Sequence, residues 1–586
     1  MAVAPPRGTP KPPAPVLAGL DGTSRSALDA VVAGLKSRKA DWAKLSISDR
    51  IALLDELIHG FLRVADRWSA ACQKAEGLDP SRPSAGEEPL VGPYFILRNL
   101  RLLKKSLAEI GRRGAPRIPG PIQTLPGGQV SARVFPQDLW DRLFYTGVTA
   151  EVWMQPGVTA ASLPETQAVA YHTKDGRKDG GGVALVLGAG NVSSIGPMDA
   201  LYKLFVENRV VVYKVHPVNV YLGPLLEEGF RALIDRGFLR QVYGGAQEGA
   251  YLCRHPDVDE IHITGSDKTY EAIVFGPGPE GELRKREDRP VVTKPISAEL
   301  GNVSPVIVVP GPWSDGDLSY QAENVVTMLV NNAGFNCNAT RVIVTHAGWS
   351  QRDAFLRKVK MLLAQVPTRR AYYPGAADRY DAFLEKHPEA ELFGEADGDR
   401  LAWALIPGVD ATRRDEICYT TEAFAGLFAE TPLAAPSVPA FLAQAVAFAN
   451  ESLWGTLNAT LLVHPRSLAD PAVSQSFEKA VADLRYGTIA INHWAAIGYG
   501  LVVTPWGAFP GHPRTDIQSG TGVVHNTLMF SRVEKSVVRA PFRVLPKPVW
   551  FATHETAHRL TPKLSRFEAA PSLAKLPGIF SLALRG

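Results

Sequence analysis

The feature that most constrains this chain is a run of apolar residues with no polar break. Val183-Ala-Leu-Val-Leu is closed abruptly by Gly188-Ala-Gly-Asn. A strand that is apolar on both faces must be covered on both faces, which is the habit of parallel sheets flanked by helices. The text after it repeats the arrangement. A helical pattern runs to about Val206, then come the strand Val210-Val-Val-Tyr-Lys, a helix over Gly223 to Asp235 and the strand Glu260-Ile-His-Ile. Past Glu299 the alternation starts again, with Val306-Ile-Val-Val, a long helix near Leu318 to Asn331 and Val342-Ile-Val. Two successive α/β units are the expectation.

The flanks read differently. Met1 to Pro13 is dense in proline and predicts a flexible arm over residues 1–20, without the apolar core of a secretory signal. Ser46-Ile-Ser-Asp opens a capped helix, and a second helical pattern covers Tyr94 to Gly111. The uncharged stretch from Trp494 to Pro510 is shorter than the ~20 residues of a spanning helix. Gly498, Gly500, Pro505 and Gly507 interrupt it, so buried loop and strand are expected there, with no membrane span. The net charge is +4 over 586 residues with no basic stripe, which gives nucleic acid no footing as a partner. Cys72, Cys253, Cys337 and Cys418 lie far apart, so neither a disulfide framework nor a cysteine-built zinc site is expected. A reducing cytoplasm suits them.

Three motifs could carry chemistry. Gly188-Ala-Gly-Asn-Val-Ser has two glycines of a dinucleotide fingerprint but Ser193 in place of the third, and the next strand ends in Lys214 rather than an acid. A plain strand-to-helix turn explains it equally well. His554-Glu555-Thr-Ala-His558 spells a zinc-protease motif, but Pro562 should stop a helix one turn later. Of the acidic residues in that tail, only Glu568 remains as a candidate third ligand. Cys337 stands among small residues between a helix and a strand, with Glu299 upstream. It is either a packed core thiol or a nucleophile with Glu299 as general base.

Taken in order, a longer set of segments resembles the NAD(P)-dependent aldehyde dehydrogenase superfamily. The matching segments are Asn191, Lys214, Thr264-Gly265-Ser266, Glu299-Leu-Gly, Gly334-Phe-Asn-Cys337, Glu422-Ala-Phe424, Asn492 and Pro505-Trp-Gly507. The resemblance implies an α/β fold: a doubly wound dinucleotide-binding domain, a second α/β catalytic domain and a small β-extension for oligomerisation. It divides the chain into the arm 1–20, a dinucleotide-binding domain with N-terminal helices over 21–298, a catalytic domain over 299–510, and a C-terminal return and tail over 511–586. It implies aldehyde oxidation to the carboxylic acid with NAD or NADP, in a cytoplasmic homodimer or homotetramer without a metal. Cys337 would be the nucleophile, Glu299 the base and Asn191 an oxyanion donor. Lys214 and Glu422 would hold the riboses, Gly265 and Ser266 would sit near the pyrophosphate, and Phe424 would pack beside the nicotinamide.

The chain departs from the family wording at the Gly-Ala-Gly turn, at Tyr270, at Asn302-Val303 and at Pro217, where NAD-preferring members often carry a glutamate. Val215-His-Pro217 resembles the CoA-acylating branch, which typically lacks the general-base glutamate, so CoA acylation stands as an alternative and a zinc hydrolase as a remote one. Phe335, Trp494 and Tyr499 are candidates for a substrate funnel suited to an aromatic or long aliphatic aldehyde.

Overall fold

The computed structural model describes residues 22–172 and 181–586, so the expected arm over 1–20 lies outside the described residues. The N-terminal helices form because their caps and apolar stripes agree. Ser46 accepts the Asp49 N–H at 3.1 Å to start Ile47–Glu76. Leu53, Leu57, Phe61, Val64 and Trp68, at helical spacing, are buried with Leu97, Leu100, Leu103 and Leu107 of Phe95–Arg113.

Two sheets follow. The smaller has six strands, in the order Gly520–Thr521, Ile296–Leu300, Glu260–Gly265, Gly182–Leu187, Arg209–Lys214, Leu239–Val242. All its pairings are parallel except the one made by Gly520–Thr521. The first strand in sequence sits centrally, with later strands added first on one side and then on the other. This is the doubly wound arrangement, with its switch point between Leu187 and Ile263. The larger sheet has eleven strands. Its parallel centre carries Pro305–Val308 and Val342–His346 side by side, and antiparallel strands close both edges.

The topology redraws the expected divisions. Ile122–Thr124, Val130–Phe135 and Thr149–Met154 fall within 21–298, yet they extend the larger sheet through Val533–Arg539. The boundary at 298/299 falls inside the strand Ile296–Leu300, which places Glu299 on the smaller sheet. The helix expected over Gly223–Asp235 breaks at Phe230 into Gly223–Gly229 and Arg231–Asp235. There the backbone of Ile47–Glu76 approaches so closely that a Cβ on Gly60 would meet the Gly229 carbonyl at 2.5 Å. The segment 494–510 holds a short buried helix, Ala496–Gly500, and no strand. Pro562 does not stop a helix: Ala557–Ala569 runs through it, held by packing on the N-terminal helices.

That C-terminal helix is fastened by buried charge. Arg98 donates to Asp141 at 2.8 Å and to Glu568 at 2.9 Å, and Arg101 donates to the other Glu568 oxygen at 2.7 Å. Burial opposes ionisation of Glu568, but the two guanidiniums win and hold its carboxyl below the usual range. Arg98→Met leaves buried Asp141 without its counter-charge and Glu568 with Arg101 alone, and should cost roughly 3–5 kcal/mol. The check is the urea midpoint, and adding Glu568→Gln should recover part of the loss.

Candidate active site

The carboxyl ends of the parallel strands open on a common cleft of 1230 Å³. Leu187, Lys214, Gly265 and Ser266 line it from the smaller sheet, and Glu422 and Phe424 from the larger unit. Cys337 and Glu299 lie in its wall. A second, narrow cavity of 70 Å³ approaches Cys337 as well, lined by Phe95, Trp494, Tyr499 and Trp550 among others. The thiol therefore stands where a large cleft with charged residues in its wall meets a small uncharged pocket.

The loop that presents Cys337 is unusually constrained. After the helix Asp315–Val330, Asn332, Ala333 and Gly334 all have left-handed backbone, with φ of 51°, 53° and 83°. Gly334 is required twice over, since a Cβ there would also meet the Ala425 carbonyl at 2.5 Å. Buried polar groups hold the strained turn in place. Asn332 donates its backbone N–H to Glu87 at 3.0 Å and its amide to the Asn191 carbonyl at 2.7 Å. Arg341 donates to the Gly334 and Ala425 carbonyls, and Asn458 to the Cys337 carbonyl at 3.0 Å. Asn191 donates its side-chain amide to the Phe335 carbonyl at 2.9 Å. The second N–H of that amide is a donor in reserve beside the thiol loop.

The Cys337 thiol donates to Glu299 Oε1 at 3.4 Å, while Glu299 Oε2 is buried with no partner. Burial and the charge of Asp199 raise Glu299 to about 7. Burial, then the charges of Glu299 and Glu422, push the Cys337 thiol well above its usual value. The pair thus shares its proton in favour of sulfur. Asp199 itself is fully buried, accepting from Thr264 at 3.0 Å and facing His262 at 3.4 Å and His525 at 3.9 Å.

Around the cleft, burial lowers Lys214, and burial with the neighbouring Lys214 charge lowers His216 to about 4, leaving that imidazole neutral. Arg254 and Lys268 also line the wall. Ser266 spends its hydroxyl capping Asp267–Val274 by accepting the Thr269 N–H at 3.2 Å. Burial raises Glu422 to about 7 against the pull of Arg341, and its Oε1 is buried without a partner. Phe424, at φ 41°, packs 5.9 Å from Phe335 and 5.0 Å from Tyr373 between ring centroids. Phe335 is therefore buried behind Phe424 and Tyr373 of the cleft wall and does not line the pocket with Trp494 and Tyr499.

The zinc reading finds no geometry. His554 precedes the helix that carries His558, so the two rings do not share a helix face. Glu555 is exposed, and Glu568 is committed to Arg98 and Arg101. Among the described residues the donor cluster is elsewhere, at His387, Glu416 and Cys418. There hydrogen bonds of 2.7 and 2.8 Å to Glu416 and Glu389 already satisfy both His387 nitrogens.

Residues 162–375 match the model of the aldehyde dehydrogenase family. Over that stretch the chain is similar to the aldehyde dehydrogenase family. It is 30% identical over 138 residues to human 4-trimethylaminobutyraldehyde dehydrogenase, covering 23% of this chain and 25% of that protein. It is 35% identical over 114 residues to the peroxisomal aminoaldehyde dehydrogenase 1 of Pisum sativum, covering 19% and 20%. These alignments span about a quarter or less of the relatives' length. Similarity in fold extends much further. The NADP-dependent glyceraldehyde-3-phosphate dehydrogenase of Bacillus halodurans, solved with NADP, has a TM-score of 0.57 at 18% identity, covering 88% of this chain and 91% of its own. Aldehyde dehydrogenase C of Pseudomonas syringae, solved as a mutant with NAD+ and octanal, gives 0.56 at 17%, covering 89% and 90%.

Sequence reasoning passed over the residues that hold the nucleophile loop. Asn332, Asn458, Arg341, Glu87 and Asp199 carry no local signal that marks them.

Proposed function

We propose that this protein oxidises an aldehyde to its carboxylic acid with NAD or NADP, through covalent chemistry on Cys337. The observation that carries the reading is the Cys337–Glu299 contact at the meeting point of the two cavities. Glu299 Oε1 is placed to take the thiol proton as sulfur attacks the aldehyde carbon. The spare Asn191 N–H and the Cys337 backbone N–H would then stabilise the alkoxide, each donor worth roughly 3–4 kcal/mol. A nicotinamide coenzyme, when bound, supplies the acceptor for the hydride whose loss turns this adduct into a thioester on Cys337. Glu299, having released that proton to solvent, draws a proton from water as the water attacks the thioester; the acid is released and the proton passes to the leaving sulfur, which restores the thiol.

The cleft suits such a coenzyme. Glu422 offers a buried carboxylate oxygen without a partner, fit for ribose hydroxyls, and Lys214, Gly265 and Ser266 line the floor. Phe424 would flank the nicotinamide. Incubating the protein with each coenzyme and a panel of aldehydes tests the reading directly, with NAD(P)H absorbance and carboxylate formation as readouts. Acyl-CoA formation strictly dependent on CoA would instead establish acyl transfer, which the placement of Glu299 disfavours. The protein acts in the cytoplasm on this reading, as a homodimer or homotetramer built through the exposed edge strand Ile122–Thr124. No helix among the described residues is long and apolar enough to cross a membrane.

Two quantitative expectations arise here. The stretch Lys214 to Pro217 offers no carboxylate to repel a 2′-phosphate, and Arg254 and Lys268 add positive charge to the same cleft. NADP should be accepted, and Pro217→Glu should shift the kcat/KM ratio toward NAD by roughly fivefold or more, one like-charge contact being worth about 1 kcal/mol or more. Glu299 must be ionised to act, so kcat should rise with pH around its value of about 7. Asp199→Asn removes a like charge that raises this carboxyl, so the acid limb of the kcat profile should move to lower pH. An unmoved limb would mean that another group governs the profile.

A further inference from the structure

The narrow pocket in front of Cys337 is walled in part by the C-terminal segment. Trp550 reaches it from beyond the last sheet strand, Val533–Arg539, and its indole lies 5.1 Å from the His493 ring at 44°. The neighbouring residues pin it. The Ala552 N–H donates to Thr327 at 2.9 Å, and the Phe551 ring packs 5.1 Å from Tyr320. Opposite stand Phe95 and Tyr499, with centroids 5.4 Å apart in edge-to-face contact.

What the wall lacks is as informative as what it contains. Among the described residues, no Asp, Glu, Lys or Arg lines the pocket. Its one titratable nitrogen heterocycle, His493, is held neutral by burial, at about 4, and accepts the Trp494 N–H at Nδ1. The other polar groups are largely spent on the protein. Asn336 donates to Asn331 at 2.9 Å, Tyr499 pairs with Ser194 at 2.9 Å and Tyr145 with Tyr94 at 2.8 Å. The buried polar atoms left without partners there, Trp550 Nε1 and Asn338 Oδ1, are a neutral donor and a neutral acceptor. A charged group brought into such a wall loses its hydration with no counter-charge in return, whereas a ring or alkyl chain gains from every apolar contact.

From the aromatic lining, the missing charge and the tail-borne indole we infer that the substrate is an uncharged apolar aldehyde, aromatic or alkyl, with Trp550 as a specificity-determining residue. This inference rests on the aldehyde-oxidising reading above and goes beyond it in naming the substrate class and the part of the chain that selects it.

The test compares kcat/KM for 3-phenylpropanal and hexanal with that for succinic semialdehyde, 4-aminobutanal and a quaternary ammonium aldehyde, which the aromatic faces alone would have to hold. The apolar members should lead by roughly tenfold or more. Trp550→Ala should lower kcat/KM for 3-phenylpropanal at least about fivefold more than for acetaldehyde, through KM, while Trp550→Phe should restore most of it. Melting temperature and NADP binding of each variant report whether the fold has survived. Should Trp550→Ala fail to fold, the comparison is made with Trp550→Phe and Trp550→Leu. Equal or better turnover of the charged aldehydes overturns this inference alone, as does an equal loss for both aldehydes in the folded Trp550 variants. If none of these aldehydes is oxidised with either coenzyme, the aldehyde reading falls, and this inference with it.

Discussion

Cys337→Ala is expected to lower aldehyde oxidation by roughly four orders of magnitude or more, the scale seen when a covalent nucleophile is removed. Coenzyme binding and fold should persist, because the side chain contributes little to its own loop. The turn is held through backbone carbonyls, by Asn458 and Ser304 on Cys337 itself and by Asn191 on Phe335. None of these bonds uses the sulfur. The same change at Cys72, Cys253 or Cys418 removes a buried thiol that does not bond Glu299, and should be tolerated better. Steady-state rates and intact mass after aldehyde treatment decide the matter. If Cys337→Ala stays within a few-fold of wild type, sulfur is not the nucleophile.

Glu299→Gln should separate the two halves of the reaction. The amide cannot serve as a base toward water, so hydrolysis of the thioester stalls. Acylation should suffer less, for an electrostatic reason. Burial is the larger cause of the raised Cys337 thiol, but the Glu299 charge is the next, and the amide removes that charge. A thiol with a lower pKa ionises without Glu299 as acceptor. Rapid mixing of aldehyde and coenzyme should therefore release a burst of NAD(P)H close to the enzyme concentration, followed by a rate slower by roughly a hundredfold or more. Intact-mass measurement should find the acyl group on Cys337. Normal turnover by the variant would remove Glu299 from the deacylation step and return attention to CoA as the acceptor.

Much of the scaffold was legible because it follows from local pattern. Val183-Ala-Leu-Val-Leu reads as a strand covered on both faces, and Ser46-Ile-Ser-Asp as the cap of a helix. The pairing of strands across hundreds of residues was not legible. Thr149–Met154 and Val533–Arg539 join far from each other in sequence, and nothing in either strand names its partner. Phe335 was misassigned for a related reason. Its place beside the nucleophile says nothing of which side of the loop it faces, and that side is set by three successive left-handed residues. Pro562 was expected to end a helix by removing one hydrogen bond, but tertiary packing outweighed that local loss. The residues that fix the thiol loop, Asn332, Asn458 and Arg341, are polar groups whose meaning appears only once the carbonyls they serve are brought to them.

The position of Cys337 in the walls of two cavities bears on traffic through the enzyme. A molecule in the large cleft and one in the narrow pocket reach the same sulfur by separate doors. Inhibitors face the same plan: a compound wedged in one entrance leaves the other open, whereas one threaded past the sulfur would bar both.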